Sequence, residues 1–460
     1  MPCTDACIRR AAMIAAQRMR AGFVAGAVLY ALGQGCALLF QWPLLRRFGL
    51  QGYGDVGLAH LGLVTVLFLA DLGYASLFLR EDPAAPGWNA RWRQALWHRL
   101  LATLVLDLLW IAGVWWSGRG QGEGFRYLLA ALSATVFGLV GYSAPLLARG
   151  RMLAGFIVQQ VAMPATILAW FVLQQLPGWD GGLGAGLAVS LGYLLQALVN
   201  IAVFGAPLQL LWPRRGGGRR MLRPALQLSL LSIAGTLHDR LTPLLLASVA
   251  PAFLPVYLFL NYLLNGASGV FNQFNRLLVA DARGPAGEHW AGALVSLVLG
   301  AAAVGALALL VVAAAWGSAE QRAWLPWVTP VLAAGATTLL SSVLAALLIG
   351  RHREATMVPL LLGGALCSAL LQVAAAAAHA PQWMLWLRFL CVLAMAAASL
   401  HLCGLRLNAG GYAALLSAVL AVSLGGGPVT MTLAALLLVP VAWTVWQRRS
   451  LLHTTLSARA

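Results

Sequence analysis

The chain has 460 residues, 61% of them hydrophobic and only 9% charged, with a mean hydropathy of +0.82. That balance excludes a soluble globular core, where about a quarter of residues are charged, and the absence of strong period-2 alternation excludes an outer-membrane barrel. The net charge of +17 comes from thirty arginines and no lysine; they sit in short loops between apolar runs, which reads as a positive-inside signal with secondary contact to anionic headgroups, and no nucleic-acid partner is expected.

Taken in order, Arg9, Arg10, Arg18 and Arg20 precede an apolar run of span length with more spans behind it, so the N-terminus reads as an uncleaved first helix and not as a signal peptide. Spans are expected near 21–43, 56–79, 97–117, 127–148, 152–175 and 184–211. A basic, glycine-rich run from Arg214 to Arg220 follows. Further spans are expected near 225–249, 253–277, 290–316, 326–349, 355–378 and 383–405, then a shorter pair near 410–425 and 429–447 divided only by Gly425-Gly426-Gly427-Pro428. The fold class is thus an all-α polytopic membrane protein of about 14 helices. Its expected parts are an N-terminal lobe of six helices (1–212), a basic cytoplasmic connector (213–224), a C-terminal lobe of six helices (225–406), and a terminal helix pair with a cytoplasmic tail (407–460).

Loop charge supports this division. With the N-terminus inside, the cytoplasmic segments collect Arg80, Arg91, Arg93, Arg99, Arg149, Arg151, the five arginines from Arg214 to Arg223, Arg276, Arg283, Arg351, Arg353, Arg406, Arg448, Arg449 and Arg459, whereas the other side holds only Arg46, Arg47, Arg119, Arg126 and Arg322. Both termini are therefore expected in the cytoplasm. Tryptophans such as Trp42, Trp115, Trp116, Trp212 and Trp383 cluster near span ends as interfacial anchors. Outward loops are too short to fold separately, which leaves function inside the bilayer. The six cysteines include no metal-type CxxC pair, so neither a metal site nor a cofactor is expected. A weak repeat lays position 21 on 225, bringing Tyr53 onto Tyr257 and Asp71 onto Asn275, as in transporters built from parallel repeats.

The stretches Phe48-Gly49-Leu50-Gln51-Gly52-Tyr53-Gly54 and Leu69-Ala70-Asp71-Leu72-Gly73-Tyr74, with Asp239-Arg240-Leu241, Leu244 to Leu246 and Tyr257, resemble bacterial polysaccharide flippases, the O-antigen and exopolysaccharide (Wzx-type) exporters of the multidrug/oligosaccharidyl-lipid/polysaccharide (MOP) superfamily. The resemblance implies two six-helix lobes around a cationic cavity that passes undecaprenyl-diphosphate-linked sugar to the periplasmic leaflet of the inner membrane. That family resembles a twelve-helix plan, so twelve helices is the alternative count. The lipid II flippase has fourteen, but its first helix carries a cavity arginine, and residues 21–43 contain no charge here.

Candidate site residues are the charged and polar groups inside spans, each weighed against a packing role. A charge at the bilayer centre costs roughly 2.5–3.5 kcal/mol on insertion scales and ordinarily faces a bundle interior. Arg240 is a candidate for holding diphosphate through its guanidinium fork, with Arg388 as a second cation. Asp239, about 100° around the helix from Arg240, is a candidate proton carrier if buried, against the alternative of a fixed inter-helix salt bridge. His238 offers a proton relay or a packing hydrogen bond. Asp71 and Asp107 offer a coupling-cation site or, for example, a pair with Arg99. Asn261, Asn265 and Asn272 share one helix face and suit sugar hydroxyls or inter-helix hydrogen bonds. Pro145, Pro164, Pro243 and Pro359, with Gly22 and Gly26, are possible bending points.

No catalytic residue is expected. The expected activity is flipping of a polyprenyl-diphosphate-linked oligosaccharide by alternating access coupled to an ion gradient, with the lipid bilayer, a polysaccharide polymerase and assembly proteins as partners. An ion-coupled drug or cation exporter of the same superfamily is the alternative. A membrane glycosyltransferase or polymerase ranks third, because outward loops carry few carboxylates beyond Glu123, Asp180 and Glu320. Without lysine there is no GxxxxGK[ST] nucleotide loop.

Overall fold

The computed structural model describes residues 4–79, 81–281, 324–351 and 353–404, with 295 and 298. The spans expected near 290–316, 410–425 and 429–447 and the segment 407–460 lie outside the described residues. Among the described residues all regular structure is helical: α1 (Thr4–Ala70), α2 (Tyr74–Phe78), α3 (Trp88–Val114), α4 (Glu123–Gly138), α5 (Ser143–Ala148), α6 (Met152–Ile157), α7 (Ala162–Leu173), α8 (Gly182–Phe204), α9 (Gly218–Val249), α10 (Leu254–Asp281), α11 (Leu325–Gly350), α12 (Glu354–Ala377) and α13 (Pro381–Cys403). Seven stretches among the described residues are long and apolar enough to cross a membrane, from Val28–Ala70 to Pro381–Cys403. The all-α polytopic expectation holds.

The first of those stretches is two spans. Gly49 breaks α1 with φ +67°, and the Tyr53 hydroxyl donates to Gln41 Oε1 at 3.0 Å. Twelve residues of unbroken helix would hold those positions about 18 Å apart, so the chain folds back at Gly49. The second arm stops at Ala70, earlier than the expected 79, because Leu72 (φ +53°) and Gly73 (φ +85°) turn the chain. Gly73 is required there twice over, since an added Cβ would meet the Ala225 carbonyl oxygen at 2.2 Å.

The expected spans 127–148 and 152–175 are each interrupted, the first between α4 and α5, the second between α6 and α7. Backbone groups freed inside a membrane need partners, and α8 provides them. Asn200 Oδ1 accepts from the Tyr142 amide at 2.8 Å, while its Nδ2 donates to the Val158 carbonyl at 3.1 Å. Gln196 Oε1 accepts from the Ala162 amide at 3.1 Å. One polar stripe on α8 thereby closes both breaks.

Contact between α4 and α8 is close because α8 presents small residues. A Cβ on Gly186 would lie 2.3 Å from the Tyr127 carbonyl oxygen, and the Ser190 hydroxyl donates to the Ala130 carbonyl at 2.7 Å. This is the small-residue packing that helices use in lipid. The outer surface is inverted relative to a soluble protein: Leu104, Val105, Leu108 and Leu109 of α3 and Leu191, Leu195 and Leu198 of α8 are exposed.

The described chain divides into two compact units, one of Met1–Leu244 with Pro251–Val270, the other of Leu245–Ala250 with Phe271–Ala460. In the first unit, α10 packs on α1: Gly57 and Gly54 receive Leu258 and Pro255, and Gly269 lies against Tyr30. The ends of this unit differ in charge. At one, Arg47 pairs with Asp180, Arg119 with Asp55 and Arg126 with Glu123. The other holds a buried aromatic cluster of Tyr74, Phe78, Trp88, Trp92, Tyr142 and Phe204, ringed by arginines. There the Arg93 side chain donates to the Trp212 carbonyl at 2.8 Å, Arg215 lies over Trp97, Arg149 lies over Phe204, and Arg151 donates to the Val203 carbonyl at 3.0 Å.

In the second unit, α11, α12 and α13 form a bundle. Arg351 and Arg353 donate to the Cys403 and Leu402 carbonyls at 2.7 and 2.8 Å, capping α13 where Gly404 (φ +64°) ends it. The first unit does the same thing: Arg151 caps α8 where Gly205 (φ +69°) ends it. An Arg-x-Arg turn closing the end of a later helix is thus present once in each unit.

Candidate functional site

The polar centre of the first unit is built from five helices. His60, on the second arm of α1, is 2% exposed. Its Nδ1 lies 2.5 Å from the Tyr127 hydroxyl of α4, and its ring centroid is 6.1 Å from that of Tyr262 on α10. The charge of Arg240, on α9, acts on both His60 and Tyr262. Tyr193 of α8 and Tyr53 of α1 complete the electrostatic group around Tyr127 and Tyr262. Arg240 Nε and the Tyr262 hydroxyl are buried without a hydrogen-bond partner, and among the described residues no carboxylate pairs with Arg240. A guanidinium whose charge reaches a histidine and a phenol can receive an oxyanion.

The residues flanking Arg240 do not share its setting. His238 lies 3.8 Å from Asp239, and the Asp239 side chain is 45% exposed. The burial that would suit it as a proton carrier is therefore incomplete.

Asp71 is engaged twice. It pairs with Arg99 at 3.4 Å, and its Oδ2 accepts from the Ala75 amide at 3.0 Å, fixing the turn into α2. Asp107 is buried and approached by Thr135, whose hydroxyl oxygen is 2.8 Å from Asp107 Oδ2 and 2.6 Å from the Leu132 carbonyl. A carbonyl only accepts, and a threonine hydroxyl has one hydrogen. The single Thr135 hydrogen is therefore shared between the Asp107 carboxylate and the Leu132 carbonyl.

On α10, Asn261 is part-buried and Asn265, one turn on, is exposed. The Asn272 side chain lies outside the described residues. Arg388 is part-buried on α13 in the second unit. No group of three or more metal-ligating side chains occurs among the described residues.

Sequence reasoning missed His60, Tyr127, Tyr262 and Thr135. His60 had a usable signal, being an ionisable residue inside an apolar run. The tyrosines had none, because in membrane helices a tyrosine is more often a packing or interfacial residue.

No family model and no curated protein matches the chain. Solved structures do. A MATE transporter in complex with MaL6 superposes with a TM-score of 0.58 at 12% identity, over 83% of this chain and 95% of that one. The lipid II flippase MurJ, in an inward closed conformation, gives 0.57 at 9% identity over 90% and 99%. A MOP superfamily transporter from Pyrococcus furiosus, described as having a binding pocket of reversed polarity that suggests a different function, gives 0.55 at 13% over 88% and 96%. The chain shares the helical fold of these three proteins. These neighbours are transporters and a flippase rather than enzymes.

Proposed function

We propose that the chain is a flippase that moves undecaprenyl-diphosphate-linked oligosaccharide across a bacterial inner membrane for O-antigen or exopolysaccharide synthesis. The observation that carries this reading is Arg240, an intramembrane guanidinium that no described carboxylate neutralises. A diphosphate cannot cross hydrocarbon unaided, and a fixed cation inside the protein lowers that barrier while the polyprenyl chain stays in lipid. Arg388 of the second unit is a further candidate cation, and Asn261, Asn265 and Asn272 are the candidates for binding sugar hydroxyls. The arginine-rich connector end faces the cytoplasm, as do both termini, and the released product passes to a polymerase and its assembly proteins.

With the cell interior negative, outward movement of anion is favoured by about 2.3 kcal/mol per charge per 100 mV. Of the proposed ion-coupling residues Asp71, Asp107, Asp239 and His238, Asp107 is the best suited, because it is buried and no cation pairs with it among the described residues. The same buried carboxylate favours the second reading, a drug or cation exporter of this fold. The glycosyltransferase reading has less support, since Asp180 and Glu123 are committed to Arg47, Arg126 and the Gly182 amide.

The test is movement of a fluorescent undecaprenyl-diphosphate oligosaccharide in proteoliposomes. Wild type should accelerate it, and Arg240→Ala should lower the rate roughly 10- to 100-fold, the value of a hydrogen-bonded charge. Arg240→Lys, a point charge without the fork, should fall between. Failure of wild type under every ion gradient and potential, with efflux of cationic dyes intact, would leave the exporter.

A further inference from the structure

We infer that His60 takes up a proton when a diphosphate binds at Arg240, so that the imidazolium supplies a second positive charge to the ligand. The inference rests on the diphosphate reading of Arg240 and extends it to a residue and a proton. Every polar group facing His60 fits. From α9 comes Arg240, the one charge that acts on it among the described residues. From α4 comes the Tyr127 hydroxyl at 2.5 Å, and from α10 the ring of Tyr262. Tyr193 of α8 acts on both of those tyrosines, and Tyr53 of α1 interacts with Tyr262. No carboxylate faces His60 among the described residues to hold an imidazolium in the empty site. With Arg240 already positive and His60 2% exposed, two like charges would share a buried space, so the resting imidazole is neutral.

An arriving diphosphate carries more than one negative charge and reverses the sign of the local field. His60, on which the Arg240 charge acts, is then the group able to answer it by taking up a proton near neutrality. The geometry accepts either state, because a phenol both donates and accepts. Tyr127 donates to Nδ1 of the neutral ring and accepts from Nδ1–H of the imidazolium without any change of position. The proton comes from solvent, no covalent bond changes in the ligand, and release of the diphosphate returns the proton. Binding of ligand and of proton are thereby linked, each strengthening the other.

The experiment is isothermal titration calorimetry of the detergent-purified full chain with P1-farnesyl-P2-glucosyl diphosphate. Both phosphates of this probe are diesters and carry no titrating proton near neutrality. Titrations in two buffers of different ionisation enthalpy count the protons. Wild type should take up as much as about one proton per ligand at the alkaline end, and affinity should rise as pH falls from about 8 to 6, approaching about tenfold per pH unit. His60→Gln should bind more weakly, with an enthalpy independent of buffer and no pH dependence. Tyr127→Phe, which keeps the ring but removes the acceptor for Nδ1–H, should bind with reduced proton uptake. Arg240→Gln should lose binding. Buffer-independent enthalpy in wild type, or undiminished uptake in His60→Gln, overturns the linkage and leaves the diphosphate site standing. If His60→Gln does not fold, the wild-type buffer pair and Tyr127→Phe decide the matter. No binding by folded wild type at any pH overturns the diphosphate site and the linkage together.

Discussion

Asp71 and Asp107 both lie at or within expected spans, yet their neighbours give them different work. Asp71 answers the Arg99 guanidinium and the Ala75 amide, so it is needed as an anion. Asp107 accepts from the Thr135 hydroxyl and pairs with no cation among the described residues, so a neutral side chain that accepts the same hydrogen bond serves as well. Asp107→Asn should therefore leave the thermal midpoint almost unchanged, whereas Asp71→Asn should cost about 1–2 kcal/mol by removing one partner of a part-buried pair. Melting curves in one detergent check this. Equal losses would mean that Asp107 is ionised and structurally required.

The elements show how a helical membrane fold tolerates broken spans. Asn200 closes both interruptions, accepting from Tyr142 and donating to Val158. Asn200→Leu should strand a buried amide and a buried carbonyl and cost about 2–4 kcal/mol, read as a fall in melting temperature and faster proteolysis between α5 and α7. The capping turns give a gentler case. Arg151→Ala and Arg353→Ala should each cost about 0.5–1.5 kcal/mol, because water reaches the carbonyls that they release at α8 and α13. A much larger loss for either would show that the turn holds more than a helix end.

At the scale of the whole molecule, charge sorts the ends of the first unit. The acids Asp55, Glu123 and Asp180 balance Arg119, Arg126 and Arg47 at one end. The opposite end keeps exposed arginines along the connector, including Arg214, Arg215, Arg219 and Arg220. A membrane-impermeant thiol reagent applied to intact cells should label Ser117→Cys and not Arg219→Cys in a cysteine-free background, because the positive-inside rule places the arginine-rich end in the cytoplasm. The reverse pattern would invert the proposed topology and, with it, the proposed direction of transport.

The sequence by itself determined that this is a multi-pass helical protein, since composition and run length allow no other way to satisfy the backbone in lipid. It also located most spans, and it named Arg240 because a charge in an apolar run is visible without knowing what packs against it. Packing decided what surrounds that charge. His60, Tyr127 and Tyr262 come from α1, α4 and α10, and residues far apart in the chain share no local pattern that could join them. The same holds for the breaks that Asn200 closes and for the fold-back at Gly49 that Gln41 and Tyr53 secure. Hydrophobicity is a property of a segment and is written along the chain, whereas a hydrogen bond between helices belongs to two segments at once and exists only after they have packed.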